Sequence, residues 1–189
     1  MLDLINWLAN NEKQIAILYK KAAVYFRDDI ILYNFLESLA ADEELHHQLM
    51  NVAYELYNTN PYFTSDFILD NEIDYRINEI LSELSNHLEK NSLTKPLLGN
   101  LIIKAEFSEW NSIFLYVINS LKINIEEYAN IGLAIQEHKR KVELYYGNFP
   151  EFKENLQEYK NLQPLCSDKI LIVDDNAINV ELLANILEK

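Results

Sequence analysis

Read in steps of three and four, the chain carries long apolar seams with the period of helices packed against other helices. The first seam is Ile5, Leu8, Glu12, Ile15, Tyr19, Ala22 and Phe26, and it predicts a helix over about 4–26. The second, Leu32, Leu36, Leu39, Glu43, His46, Met50, Ala53 and Tyr57, predicts another over 32–57. Between them Arg27, Asp28 and Asp29 leave room only for a short turn, and either aspartate can cap the second helix. Short connections make antiparallel neighbours, so these two helices should form a hairpin. Pro61, within the stretch from Asn58 to Phe63, stops the second helix. A crossover follows, with the ordinary amphipathic stripe Ile73, Ile77, Ile80, Leu84 and Leu88. His87 sits beside that stripe with no carboxylate on its face and reads as a solvated or capping histidine. The third long seam, Leu98, Ile102, Ala105, Glu109, Ser112 and Tyr116, begins near Pro96 with Thr94 as its cap. The fourth, Tyr128, Ile131, Ile135, His138, Val142 and Tyr145, opens on a capping box from Asn124 to Glu127 and ends at Gly147 and Asn148.

Beyond that point the pattern changes twice. Residues 149–167 are amphipathic but less regular; Phe152, Leu156 and Tyr159 suggest a short docking helix, and Pro164 marks a boundary. From Lys169 to Asp175 the chain is a continuous apolar run ending in two acids, followed by a helical pattern over 177–189. Such a run reads as a buried parallel strand with carboxylates at its C-terminal end, where α/β sheets place their sites.

Composition narrows the function classes. The chain has 189 residues, 49% of them hydrophobic, with only 3 Gly and 4 Pro, so it has a core to bury and few residues to spend on loops. A formal net charge of −14 argues against nucleic acid and anionic membrane surfaces, both of which call for basic patches. The lone Cys166 excludes an internal disulfide and points to a reducing compartment. The N-terminus lacks the positive start of a signal peptide, and no apolar run has the length of a membrane span. A soluble cytoplasmic protein is expected.

The chemistry lies where the apolar seams are interrupted: Glu12; Glu43 and His46; Glu109; His138. Glu43 and His46 are three apart, so their side chains leave neighbouring turns and can converge on one point. Glu44 and His47 are one residue off that face and should look outward. A carboxylate buried in a helical core costs several kcal/mol unless something compensates it. Taken singly, each group has a plain reading: Glu43 and His46 bonded to each other, Glu12 favoured by the dipole at a helix start, His138 satisfied by a neighbour. Glu12 lies more than one turn in, however, and polar groups at matching places in two hairpins point to a shared metal ion. Glu106, one turn before Glu109, can lean toward the same point.

Those residues resemble the ferritin-like superfamily, closest to rubrerythrin-like domains. The resemblance covers about 4–146 and rests on Glu12 seven residues before Tyr19, on Leu39-Ala-Ala-Asp-Glu-Glu-Leu-His46, and on Glu109 seven residues before Tyr116. Di-iron bundles of that kind take a glutamate from each of two helices and Glu-x-x-His from each of two others. The resemblance implies a non-haem di-iron site that reacts with oxygen or peroxide, or stores or senses iron, with Glu12, Glu43, His46, Glu109 and His138 as ligands. The departure is in the fourth helix, where Ile135-Gln-Glu-His138 stands in place of Glu-x-x-His. Three carboxylates and two histidines remain; Glu106 is the substitute closest to hand, Glu137 a second if that helix bulges, and a single metal or a labile pair the alternative outcome. Hemerythrin-type ligation is disfavoured, because only 4 His are present.

The C-terminal run, Lys169-Ile-Leu-Ile-Val-Asp-Asp-Asn-Ala-Ile-Asn179 with the helix after it, resembles the opening strand and helix of a response-regulator receiver domain. That resemblance implies Asp174 and Asp175 as ligands of the Mg²⁺ used in phosphoryl transfer, with the phosphoacceptor aspartate beyond residue 189. The expected fold class is all-α: a ferritin-like four-helix bundle with a long helical crossover over 1–148, a linker and docking helix over 149–167, and a truncated α/β receiver start over 168–189. The expected function is a metal-dependent sensory input domain, holding iron or manganese and reading iron, oxygen or peroxide. Its expected partners are a second copy of the chain and, through a complete receiver, a sensor histidine kinase or phosphotransfer protein. The rivals are a rubrerythrin-like peroxidase or ferroxidase, and a metal-free bundle that serves as a docking or dimerisation domain. The enzyme reading is the weaker of the functional ones: no Cys-x-x-Cys pair supplies a built-in rubredoxin-type electron donor.

Overall fold

The computed structural model describes residues 1–59, 71–106, 113, 114, 116, 117 and 131–160. Helix α1 spans Leu2–Tyr25, α2 Ile30–Thr59, α3 Asn71–Glu89, α4 Lys95–Glu106, α5 Ile131–Tyr146 and α6 Lys153–Lys160, the last preceded by a 3₁₀ turn at Pro150–Phe152. All regular structure among the described residues is helical. The strand expected over 169–175, with Asp174 and Asp175, and the capping box from Asn124 to Glu127 lie outside the described residues, as does Glu109.

Local chemistry sets the element boundaries. Phe26 to Asp29 turn the chain, and Asp29 Oδ1 accepts the backbone N–H of Leu32 at 3.1 Å, so the second of the two candidate aspartates is the cap. Its other oxygen meets Lys95 Nζ at 2.5 Å, which pins the start of α2 to the start of α4. Helix α3 ends on Asn91, which adopts φ 51°. The left-handed position lets Ser92 N–H reach back to the His87 carbonyl, while His87 Nδ1 pairs with Ser92 Oγ at 2.8 Å. Thr94 Oγ1 accepts Leu97 N–H at 3.3 Å and opens α4, as its sequence predicts.

The contacts between helices fix their directions. Glu12 lies opposite His46 and Ala9 opposite His47, so α1 and α2 are antiparallel. Along α5, His138, Lys141 and Tyr145 meet Asp42, Ser38 and Phe35 in turn, so α5 runs against α2. Gly99 faces Tyr146 and Glu106 faces His138, so α5 runs against α4 as well. Helices α2 and α4 therefore point the same way. A tight turn cannot join parallel helices, and α3 carries the chain back along α1, where Trp7 Nε1 donates to Asp74 at 2.6 Å.

The core is the set of seams read from the sequence: Ile5, Leu8, Ile15, Leu36, Leu39, Met50, Leu98 and Ile102 are fully buried, and each large aliphatic contributes about 1.5–3 kcal/mol. At one end Phe35 stacks on Tyr145 (centroids 3.8 Å apart), and Tyr146 packs edge-on to Phe152 at 4.8 Å. Phe152 and Leu156 are buried, and α6 packs on α4, so the segment after α5 docks onto the bundle. Gly99 is what lets it approach: a Cβ there would lie 2.4 Å from the Phe152 ring.

Candidate metal centre

Midway along α1, α2 and α5, and at the last described residue of α4, the apolar core is broken by a cluster of buried acids and imidazoles. Glu12 comes from α1, Glu43 and His46 from α2, Glu106 from α4 and His138 from α5, and each is at most 5% exposed. The centre of the cluster is Glu43. Its Oε2 meets His46 Nδ1 at 3.0 Å, and its Oε1 meets His138 Nε2 at 2.9 Å. One carboxylate thus faces two histidines from two different helices, whose ring centroids are 5.2 Å apart. On the α1 side Glu12 Oε2 lies 3.6 Å from His46 Nδ1. On the α4 side Glu106 Oε2 lies 2.6 Å from His138 Nε2.

The result is two groups of three that share Glu43: Glu12, Glu43 and His46, and Glu43, Glu106 and His138. Within each group the candidate donor atoms all lie within 4.8 Å of one another. Ions with bonds of about 2.0–2.2 Å to nitrogen and oxygen hold their donors about 3–4 Å apart, so small side-chain shifts close each group around an ion. Counted as a carboxylate, Glu12 leaves Oε2 with no hydrogen-bond donor among the described residues. An orphaned anionic oxygen in a dry core is what a cation would satisfy. The residues present fit a pair of metal ions, and a set of carboxylates with imidazoles suits iron, manganese or zinc.

Without a metal, protons do part of the same work. Burial, and then the charge of Glu43, push the Glu12 carboxyl well above the usual carboxylate range. Carried as an acid, Glu12 can donate to Glu43. Burial also works against an ionised Glu43, but the charge of His138 and hydrogen bonds from Glu12, His138 and His46 outweigh it and hold Glu43 well below that range. Burial alone would lower the His46 pKa; the Glu12 carboxyl 3.6 Å away and the hydrogen-bonded Glu43 carboxylate reverse this and raise it to about 10. His138 is likewise raised against its burial, chiefly by the charges of Glu106 and Glu43. The metal-free centre is a compensated knot of imidazolium and carboxylate, and the protons that compensate it are those a metal must displace.

A second layer holds these groups. Tyr19, fully buried on the Glu12 seam, donates its hydroxyl to Glu106 Oε1 at 2.6 Å. Burial, and then the charge of Glu106, raise the Tyr19 pKa and keep that proton on the phenol. His138 Nδ1 meets Asp42 Oδ2 at 2.9 Å, leaving Nε2 for the centre. Asp42 also accepts from Lys141. Burial presses its pKa upward, but hydrogen bonds from His138 and Lys141 outweigh that and hold it low.

Glu12, Glu43, His46 and His138 therefore stand together as the seams predict. Glu106, read only as a substitute, occupies the α4 position in the described centre. His47 does not look outward as expected: it is half-buried, its Nδ1 meets the Ala9 carbonyl at 2.8 Å, and Asn51 pairs with its other nitrogen. Sequence reading missed Asp42 and the role of Tyr19. Each had a signal: Asp42 directly precedes Glu43, and a phenol in an apolar seam needs a hydrogen-bond partner. No family model, curated protein or solved structure matches this chain. Among the described residues no helix is long and apolar enough to cross a membrane.

Proposed function

We propose that the bundle is a ferritin-like domain that holds two first-row metal ions, iron before manganese, and serves as the sensory input of a signalling protein. The observation that carries the metal reading is Glu43, whose two oxygens face His46 on one side and His138 on the other. The helix directions also support a ferritin-like bundle. A parallel second pair member, reached through a long helical crossover, is one of the known four-helix connections.

In this reading Glu12, Glu43 and His46 would hold one ion, and Glu43, Glu106 and His138 would hold the other. Iron, when bound, would supply one-electron chemistry toward oxygen or peroxide. The chain's own residues do the rest. Tyr19 fixes the orientation of Glu106, Asp42 fixes the ring of His138, and the leucine and isoleucine walls keep water from the centre. Three of these carboxylates against two divalent ions leave one positive charge over, and Ile135, with no donor atom, stands where the fourth carboxylate is expected. That shortfall favours a site that exchanges its metal or its charge state with conditions.

The route to an output is the helix that carries His138. Toward its C-terminus α5 stacks Tyr145 on Phe35 and packs Tyr146 against Phe152, which leads directly into α6. A change in what His138 binds is a change in how α5 sits on α2 and α4, and α6 follows it. The run from Lys169 to Asp175 then links this movement to a receiver and so to a phosphorelay, with Asp174 and Asp175 as its Mg²⁺ ligands. Anaerobic calorimetric titration with Fe(II) or Mn(II) tests the reading. Saturable binding that is lost in Glu43→Ala supports it, and no heat of binding sinks the sensing mechanism, leaving a bundle that works through its surface.

A further inference from the structure

His138 is not held by Asp42 alone. The Asp42 oxygen that meets His138 Nδ1 also accepts from Lys141 Nζ, and Lys141 donates in addition to Ser38 Oγ at 2.7 Å. Ser38 and Asp42 are four apart on α2, and His138 and Lys141 are three apart on α5. Each pair therefore lines one face of its helix, and the two faces meet. The four side chains form a clamp that begins in the dry centre, where His138 is 2% exposed, and ends at the surface, where Lys141 is 36% exposed. An aspartate that is 29% exposed has rotamers open toward water. The ammonium group, tied to Ser38 on its other side, selects the rotamer that points at His138.

We infer that Lys141, seated on Ser38, is a positioning residue for the metal centre: it fixes Asp42, Asp42 fixes the tautomer and ring orientation of His138, and together they set the affinity of one ion of the pair. The inference rests on the metal-centre reading and adds an asymmetry to it. The clamp touches His138 but not Glu12 or His46, so it acts on the ion held by Glu43, Glu106 and His138. Outer partners of metal-bound histidines typically change affinity by about 10–100-fold, and Lys141 acts one step further out, so a loss of about tenfold is expected.

The test is an anaerobic Co(II) titration of the full chain, followed by visible absorption and by calorimetry, for wild type, Lys141→Met, Lys141→Arg and Ser38→Ala. Lys141→Met keeps the aliphatic stem and removes the donor. The expected result is two Co(II) events in wild type, of which one weakens about tenfold in Lys141→Met with a changed absorption band while the other keeps its constant. Lys141→Arg should restore the weakened event, since its guanidinium can donate to both Asp42 and Ser38, and Ser38→Ala should weaken the same event by less. A role in packing alone would lower the melting temperature of the chelated protein without this selectivity or rescue. Wild-type binding with both constants unchanged in Lys141→Met overturns the clamp and leaves the metal centre standing, as does an equal loss at both events. Absence of any Co(II) binding in wild type overturns both.

Discussion

Replacing Glu12 by glutamine separates a metal ligand from a structural tie, because a structural tie would show its loss in the metal-free chain and a ligand only when metal is present. In the metal-free chain Glu12 is buried and held as an acid by burial and by Glu43. Glutamine has the same shape and offers an N–H to Glu43 without needing a proton. One hydrogen bond worth about 1 kcal/mol is exchanged for another. The metal-free variant should therefore melt within about 4 °C of metal-free wild type, at 2–4 °C per kcal/mol for a chain of this size. With metal the two diverge. Free metal at 100 times its dissociation constant stabilises wild type by about 2.7 kcal/mol, a shift of about 5–11 °C. If loss of the Glu12 carboxylate weakens binding about 100-fold, the same metal concentration stabilises Glu12→Gln by only about 0.4 kcal/mol, or about 1–2 °C. The assay is differential scanning calorimetry of both proteins, after chelation and after anaerobic Fe(II) or Mn(II) addition. A large loss of stability in the metal-free variant, with no metal-induced shift in either protein, would refute the reasoning and make Glu12 a structural tie.

Four further expectations follow from the same geometry. Tyr19→Phe removes only the hydroxyl that Glu106 accepts, so Fe(II) affinity measured by calorimetry should fall about 10–100-fold while the core stays packed. In chelated protein His46 is raised to about 10, above its ordinary value near 6.5; the stability it contributes is fully present below about pH 6.5 and is lost as pH rises through about 10. Urea midpoints of the metal-free chain should therefore fall across that window, and metal uptake should release protons, read by calorimetry in buffers of different ionisation enthalpy. Gly99→Ala places a methyl group against Phe152 and Tyr146 and should cost about 1–3 kcal/mol in a urea titration, with loss of the α6 contact. Asp29, held below its ordinary pKa by Lys95 and the Leu32 N–H, supplies stability above its unfolded pKa that is lost as pH falls through the folded one; Asp29→Asn should be less stable than wild type at neutral pH and converge with it in acid.

The parts of this protein that are legible in its sequence are those where one periodicity governs. Helix α1 and its polar interruption at Glu12 follow from spacing alone, as do Glu43 and His46, because a single charge in an otherwise apolar seam has few explanations. His138 is legible for the same reason. The Thr94 cap and the docking of Phe152 and Leu156 come from local chemistry. What spacing does not carry is the second layer. Asp42 and Lys141 sit on the flanks of their helices, where polar residues are ordinary, and only the meeting of α2 with α5 makes them partners. Glu106 stands three residues before the seam position Glu109, and spacing alone gives no reason to rank it as more than a substitute; its contacts with His138 and Tyr19 come from how α4 meets α5 and α1. His47 is not legible from spacing, because its place beside the core face predicts exposure to water while α1 lies close enough to offer it the Ala9 carbonyl.

The central claim is that Glu43 is shared between two metal sites. Metal content per chain tests it most directly, by inductively coupled plasma mass spectrometry after anaerobic Fe(II) loading and desalting, for wild type and Glu43→Ala. The account predicts about two iron atoms per wild-type chain and near none in the variant, because both sites lose the carboxylate they share. One iron per wild-type chain would contradict the shared pair, and none would contradict the metal centre itself.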